Sequence, residues 1–141
     1  MIYTNSDGGS RGNPGPGAIG VLVRQDDTIL IRSSKFIGER TTNNEAEYEA
    51  LILALELASS ITEDEVTCIL DSELVVKQLL GEYQVKNSRL MPLFLKIQKL
   101  QENFKKIKYE HVSRWNTYQR IVDELVNEEL DEKGYRKVKK S

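Results

Sequence analysis

The spacing of apolar and polar residues changes period several times along the chain, and each change marks a predicted element. Residues 18–24 and 28–37 are β-rich runs separated by a turn at residues 25–27, and residues 2–6 form a short strand before them. Over residues 44–60 the apolar positions recur at helical spacing instead. The first 60 residues therefore predict three antiparallel strands followed by a helix.

The second half of the chain alternates between strand and helix. Residues 66–70 form a continuous apolar run, which is typical of a buried parallel strand. Further elements are predicted as helices at 72–80, 89–104 and 118–132 and a strand at 107–112. The order βββαβααβα predicts an α/β protein, with a mixed sheet covered by helices in one layered domain. We assign residues 1–133 to this domain and expect residues 134–141 to form a flexible basic tail.

Composition and charge limit the class of protein. The chain is 39% hydrophobic and 30% charged, as in ordinary globular domains, and its net charge of −2 argues against coating nucleic acid by bulk attraction. No apolar stretch is long enough to span a membrane, and the first residues lack the pattern of a secretion signal. The single cysteine, Cys68, lies in an apolar run and is predicted to be buried. We therefore expect a cytoplasmic protein, and nothing in the sequence requires more than a monomer.

Four acids lie near the ends of predicted elements. Asp7 follows the first strand, Glu47 lies near the start of the long helix, Asp71 follows the apolar strand, and Asp123 lies near the start of the last helix. Carboxylates gathered in one place repel one another unless a cation lies between them, and all-oxygen ligand sets suit hard divalent cations such as Mg²⁺. The four acids are therefore a candidate metal site.

Glu47 is the least compatible of the four with a purely structural role. It shares a helical face with Leu51 and Ala54 and should point inward, where an unpaired carboxylate requires a metal ion or a proton beside it. Structural alternatives remain open for two others. Asp71 could cap the following helix, and Asp123 could be a first-turn acid that the helix dipole favours.

The segment 7–17 is rich in glycine and proline and predicts a rigid loop after the first strand. It lacks the G-x-G-x-x-G and G-K-[ST] spacings, so it is neither a dinucleotide fingerprint nor a phosphate loop. His111 is the only histidine and is interpreted as structural, which weakens any acyl-transfer hypothesis. Trp115 and Tyr118 flank the last loop, where they either stack on nucleotides or pack within the protein.

Together these segments resemble type 1 ribonuclease H over nearly the whole chain. The matching phrases are SDGGSRGNPGPGAIG, ERTTNNEAEYEAL, LDSELVVKQLLGEYQVKN and VDELVNEEL, in the family's order and at compatible spacing. The resemblance implies a five-stranded mixed sheet in the order 3-2-1-4-5, flanked by helices. It also implies an endonuclease that hydrolyses the RNA strand of RNA–DNA hybrids and leaves 5′-phosphate ends.

The resemblance further implies site residues and cofactors. The metal-binding catalytic acids of a two-metal-ion mechanism would be Asp7, Glu47, Asp71 and Asp123, with Mg²⁺ as the cofactor and Mn²⁺ as a substitute. The residues facing the minor groove of the hybrid would be Gly9, Ser10, Asn13, Asn43, Asn44 and Glu73, and Thr42 would hold a phosphate of the DNA strand. A wide, shallow minor groove lined by 2′-hydroxyls suits such contacts.

Two alternatives are weighed against the nuclease. A non-catalytic nucleic-acid-binding module on the same scaffold would bind hybrids without cleaving them, but it would have no reason to hold four acids against phosphate. A phosphotransferase of the actin-like and sugar-kinase kind would need duplicated domains, for which 141 residues are too few.

The sequence departs from the family pattern in three places. Residues 81–89 lead directly to the next helix, so the basic protrusion of some members is missing. Gln119 stands where the family has an asparagine four residues before the last acid, and we expect a longer loop at residues 114–118. That loop holds no histidine, and Arg114 is a candidate to replace it.

Overall fold

The computed structural model describes residues 1–135, which form a five-stranded sheet and four helices. The elements in chain order are β1 (Ile2–Ser10), β2 (Gly15–Gln25), β3 (Thr28–Thr41), α1 (Asn43–Ser59), β4 (Glu65–Leu70), α2 (Glu73–Leu79), α3 (Met91–Gln101), β5 (Lys106–His111) and α4 (Thr117–Glu132). The strand order is β3-β2-β1-β4-β5. β1 pairs antiparallel with β2 and parallel with β4, so the predicted mixed sheet and its order are confirmed.

The first strand is longer than the sequence pattern predicts. β1 continues through Asp7 to Ser10, and its ladder with β2 runs without a break from Asp7 opposite Gly20 to Ser10 opposite Gly17. The prediction of a loop beginning at Asp7 is therefore wrong, and the connection between β1 and β2 comprises only residues 11–14. Gly12 does lie in this connection, with φ of 108°, but Gly8 misleads because it marks close packing against a helix and not a turn.

Two glycines of the sheet allow helices to approach it. A Cβ on Gly8 would lie 2.2 Å from the carbonyl oxygen of Ala46 in α1. A Cβ on Gly20 would lie 2.6 Å from the carbonyl oxygen of Val122 in α4. Since real Cβ atoms do not approach backbone so closely, only glycine permits this packing. Gly8 follows Asp7 in β1, and Gly20 is the residue of β2 that pairs with Asp7, so both helices come close to Asp7.

The two faces of the sheet carry cores of different size. One face packs against α1 and α3 in a large apolar cluster that includes Val21, Val23, Leu51, Leu55 and Ile97. A smaller cluster joins Ala18 of β2 to Val126 and Leu130 of α4, with Phe36 beside it. Because successive strand residues point to opposite faces, residues 21 and 23 belong to one core and residue 18 to the other.

Several smaller predictions can now be compared with the structure. Cys68 is buried and unpaired, as predicted, and burial raises the pKa of its thiol to about 12. Residues 80–90 connect α2 directly to α3, which agrees with the missing protrusion. Tyr135 lies within the predicted tail and stacks on Phe36, whereas residues 136–141 lie outside the described residues. Within residues 1–135, no helix is sufficiently long and apolar to cross a lipid bilayer.

α4 is confirmed within one residue of its predicted bounds. The helix begins at Thr117 and is capped by Asn116, whose side-chain oxygen accepts hydrogen bonds from the backbone of Tyr118 and Gln119. The expected longer loop at residues 114–118 is therefore partly helix. Asp123 consequently lies in the second turn of α4, so its interpretation as a first-turn acid is wrong.

Candidate active site

Three of the predicted acids meet at the carboxyl end of the central parallel strands. Asp7 lies on β1, and Asp71 follows the last residue of β4, whose parallel pairing with β1 reaches Asn5 opposite Ile69. Glu47 comes from α1, which the close contact at Gly8 holds against β1. One carboxylate oxygen from each of Asp7, Glu47 and Asp71 lies within 4.8 Å of the others. We call these three residues the acidic triad.

The triad is electrostatically strained. Burial raises the pKa of Asp7 and Glu47 well above the usual carboxyl range, and repulsion between neighbouring carboxylates raises both further. Burial also raises the pKa of Asp71. The Oε2 atom of Glu47 is buried without any hydrogen-bond partner. A buried, partnerless carboxylate oxygen in an all-oxygen set fits a divalent cation, because such an ion would both neutralise the charge and complete the contacts.

Asp123 lies near the triad but does not belong to it. It is exposed on α4 and lines a cleft of about 510 Å³ together with Asp7, Asp71 and Arg114. Its negative charge raises the pKa of both Asp7 and Asp71. The structure therefore brings Asp7, Asp71 and Asp123 to one cleft and places Glu47 beside Asp7 and Asp71 in the triad.

Gln119 has a larger role than the sequence suggests. Its buried amide donates to the carbonyl oxygen of Ser6 at 2.8 Å and accepts from the Asn5 side chain at 3.2 Å. Asn5 accepts in turn from Nε of Arg24 at 2.9 Å. These bonds fix α4 against β1 immediately before Asp7, and a hydrogen bond from Gln119 also lowers the pKa of Asp71. The sequence held one signal, since Gln119 and Asp123 are one helical turn apart.

The two aromatic residues near the last loop have different environments. Tyr118 packs over the Arg24 guanidinium, 4.0 Å from the ring centroid, and its hydroxyl donates to Asp27 at 2.9 Å. Trp115 is 69% exposed. Tyr118 therefore packs within the protein, while Trp115 does not.

Three of the seven predicted substrate-binding residues form one hydrogen-bonded group beside the triad. Asn43 accepts from the backbone N–H and hydroxyl of Ser10 at 3.0 and 3.1 Å, and its own N–H donates to Asn13 at 3.0 Å. Thr42 caps α1 in a reciprocal arrangement with Glu45. Three bonds thus hold the β1–β2 connection against the start of α1.

The remaining predicted substrate contacts lie outside that group. Gly9 lines the cleft, and Asn44 is half-buried in the first turn of α1. Glu73 is exposed in the first turn of α2, where it pairs with Lys77 at 2.8 Å. Asp71 does not cap that helix, because Ser72 does so. The structural alternative for Asp71 is therefore wrong.

His111 was interpreted from the sequence as a structural residue, and its environment does not support this. The side chain is exposed at the end of β5, where His111 pairs with Leu70, the residue before Asp71. Its charge, when protonated, lowers the pKa of Asp71. A strand-end position beside another strand-end acid was the signal that could have identified it.

Comparison with known proteins gives consistent matches. A family model described as reverse transcriptase-like matches residues 5–128. The bifunctional protein Rv2228c of Mycobacterium tuberculosis is 42% identical over 133 residues, which cover 92% of this chain. The N-terminal RNase H domain of that protein, solved as a fusion, superimposes with a TM-score of 0.88 at 38% identity, covering 94% of this chain and 95% of that one. LC11-RNase H1 in complex with an RNA/DNA hybrid gives 0.85 at 40% identity, covering 94% and 99%.

The chain therefore belongs to the reverse transcriptase-like family of the ribonuclease H-like superfamily, and its relatives place it among the type 1 ribonucleases H. It spans 35% of the length of the full mycobacterial protein.

Proposed function

We propose that this protein is an endonuclease that hydrolyses the RNA strand of RNA–DNA hybrids. The observation that carries the proposal is the acidic triad, in which a buried Glu47 oxygen lacks a partner. Asp123 lines the same cleft as Asp7 and Asp71. Ribonuclease H names among the relatives support it, as does the relative solved with a hybrid. Because the longer mycobacterial relative contains more than this domain, the proposal concerns the domain's activity.

The proposed cofactor is Mg²⁺, with Mn²⁺ as a substitute. Asp7, Glu47, Asp71 and Asp123 would hold the ions, and two bound divalent cations would acidify the attacking water and stabilise the leaving 3′-oxygen. The carboxylates of the triad come from three segments, since β1 and α1 each contribute one and Asp71 directly follows β4. The products would carry 5′-phosphate and 3′-hydroxyl ends.

The hydrogen-bonded residues beside the triad, together with the other predicted substrate contacts, would recognise the hybrid. Gly9, Ser10, Asn13, Asn43, Asn44 and Glu73 would face the minor groove, and Thr42 would hold a phosphate of the DNA strand. The bonds that join Ser10, Asn13 and Asn43 fix their positions before substrate arrives, which reduces the entropic cost of binding. The 2′-hydroxyl of the ribose would be recognised and would not act as the nucleophile.

The test compares labelled RNA–DNA hybrid, double-stranded RNA and single-stranded RNA in Mg²⁺ or Mn²⁺. We expect cleavage of the hybrid with 5′-phosphate products, and a loss of at least about a thousandfold in the Asp71→Asn variant without loss of hybrid binding. Asp64→Asn is the matched control, because Asp64 is an exposed acid that pairs with Lys105 at 3.3 Å.

Two outcomes would contradict the proposal. Full activity of Asp71→Asn would remove the triad from the reaction. Hybrid binding without cleavage in any divalent metal would favour the alternative, a non-catalytic nucleic-acid-binding module. A cytoplasmic location and a monomeric state remain sequence predictions.

A further inference from the structure

Trp115 is the most exposed large apolar side chain of the described residues, at 69% of its full surface. It lies between β5 and α4 in a turn that hydrogen bonds hold. The backbone N–H of Trp115 donates to the Ser113 hydroxyl at 3.2 Å, and the backbone N–H of Asn116 donates to the Ser113 carbonyl oxygen at 3.0 Å. Asn116 then caps α4. The indole is therefore displayed at a defined position directly before the helix that carries Asp123.

The residue beside it connects this position to the cleft. Arg114 lines the cleft together with Asp7, Asp71 and Asp123, and its guanidinium lies 4.7 Å from the Trp115 ring centroid. A cation over an indole face fixes the ring and leaves its other face open. The rim of the cleft thus presents a positive charge and a flat aromatic surface side by side.

These two groups match the chemistry of a nucleic-acid strand. Phosphate pairs with the guanidinium, and a sugar or base surface packs against the indole, as in aromatic platforms that bind nucleic acids without reading sequence. A protein partner would also accept an exposed indole. The charge beside it and the position at the rim of the acidic cleft favour the nucleic acid.

On this basis, and resting on the proposed function, we propose that Trp115 is a substrate-binding residue that packs against the RNA–DNA hybrid at the rim of the cleft, with Arg114 holding the ring and pairing with a phosphate. The contact supplies binding surface in a chain whose α2–α3 connection has no basic helical protrusion. It affects affinity and not the chemical step, because Trp115 does not line the cleft with the acids.

The experiment uses the fact that Trp115 is the only tryptophan of the chain, so tryptophan emission reports on this site alone. The full chain in the Asp71→Asn background, which keeps the hybrid intact, is titrated with labelled hybrid. Anisotropy of the label and tryptophan emission are followed together. We expect both signals to change with the same midpoint, and an excess of unlabelled hybrid to reverse both.

Substitutions then separate the indole from the fold. In the Asp71→Asn background, Trp115→Ala is expected to raise the Kd for the hybrid by about tenfold. In the active protein the same change should raise KM by a similar factor, with kcat and the melting temperature close to those of the parent. Trp115→Phe should restore most of the affinity, because a smaller aromatic ring still packs. Leu95→Ala is the control, since Leu95 is 54% exposed on α3 and is not among the residues that line the cleft.

Three results would overturn the inference. Hybrid binding seen by anisotropy with unchanged emission and a normal Trp115→Ala affinity would remove Trp115 from the interface and leave the proposed function intact. An emission change that depends on protein concentration alone would assign the indole to contacts between copies of the chain. Absence of hybrid binding by anisotropy would reject the proposed function itself and this inference with it.

Discussion

The two helices that bring acids to Asp7 reach it from opposite faces of the sheet and are held there in different ways. α1 is fixed by the large apolar core and by a capping box at Thr42, and it delivers Glu47, which is half-buried and whose Oε2 atom is fully buried. α4 rests on a small apolar cluster and is fixed mainly by polar bonds, and it delivers an exposed Asp123. The position of Glu47 therefore depends on many weak contacts, whereas that of Asp123 depends on a few specific ones.

The polar bonds of α4 lie at both of its ends. Near its start, Gln119 bonds to Asn5 and to the backbone of Ser6. Near its end, Arg11 of the β1–β2 connection donates to Asn127 and Asp131 and to the carbonyl oxygen of Tyr135. A buried hydrogen bond fixes direction as well as distance, but the loss of one partner leaves the other unsatisfied. The α4 face should therefore tolerate fewer changes without loss of geometry.

The largest expected difference between the two faces concerns activity. Glu47→Gln should lower kcat/KM for the hybrid by at least about a thousandfold, because it removes a triad carboxylate that has a buried, partnerless oxygen. Asp123→Asn should lower it by only about 10- to 100-fold, because the exposed position lets water replace the lost ligand. Initial rates under matched conditions measure both, with Glu49→Gln of the same helix as the control. Equal losses of kcat/KM in the two variants would show that the exposed Asp123 is as important as Glu47.

The next difference concerns how stability and activity are linked. Leu51→Ala in the large core should cost about 3 kcal/mol of unfolding free energy and leave kcat within about twofold. Gln119→Leu should cost about 2 kcal/mol, because Asn5 and the Ser6 carbonyl lose their partner, and should also lower kcat about tenfold since Asp123 moves with α4. Urea unfolding and kcat measured well below the melting temperature separate the two effects. A Gln119→Leu variant with normal kcat would show that other contacts set the position of α4.

The smallest expected effect is the pH dependence of the metal-free protein. The pKa of Asp7 and of Glu47 is raised in the folded state, so the stability these groups contribute is present below about pH 4 and is lost as pH rises through the raised values. In EDTA, Glu47→Gln should therefore gain stability relative to the parent by several degrees of melting temperature between acidic and neutral pH. Added Mg²⁺ should reduce that difference by stabilising the parent. If the melting temperatures of the two proteins differed by the same amount at every pH in this range, the raised pKa values of Asp7 and Glu47 would be contradicted.

The sequence predicts the α1 face better than the α4 face, for a physical reason. Helical and strand periodicity report burial, and the large core is built from such burial, so α1, β4 and the inward position of Glu47 could be predicted. The network of α4 joins residues 114 positions apart through directional bonds that leave no periodic signal. The start of α4 at Thr117 lies within one residue of the predicted start, but the bonds that Gln119 makes could not be predicted.

Glycine accounts for the other error in the sequence analysis. A glycine-rich run predicts a turn, yet Gly8, Gly9 and Gly17 of that run lie in paired strands. No local rule distinguishes a glycine that bends the chain from one that admits a neighbouring helix, because the distinction depends on atoms remote in sequence. The candidate acids were less sensitive to this error, since their positions next to strand ends survive a shift of a few residues.

Gly8 and Gly20 give the site a dimension that no charged residue supplies. A helix carbonyl lies close to each, so these two residues set how closely α1 and α4 approach the sheet beside Asp7. A methyl group added at either position would push a helix and its acid away from Asp7, although neither glycine carries a functional group. The spacing around the site thus depends on two residues that have no reactive side chain.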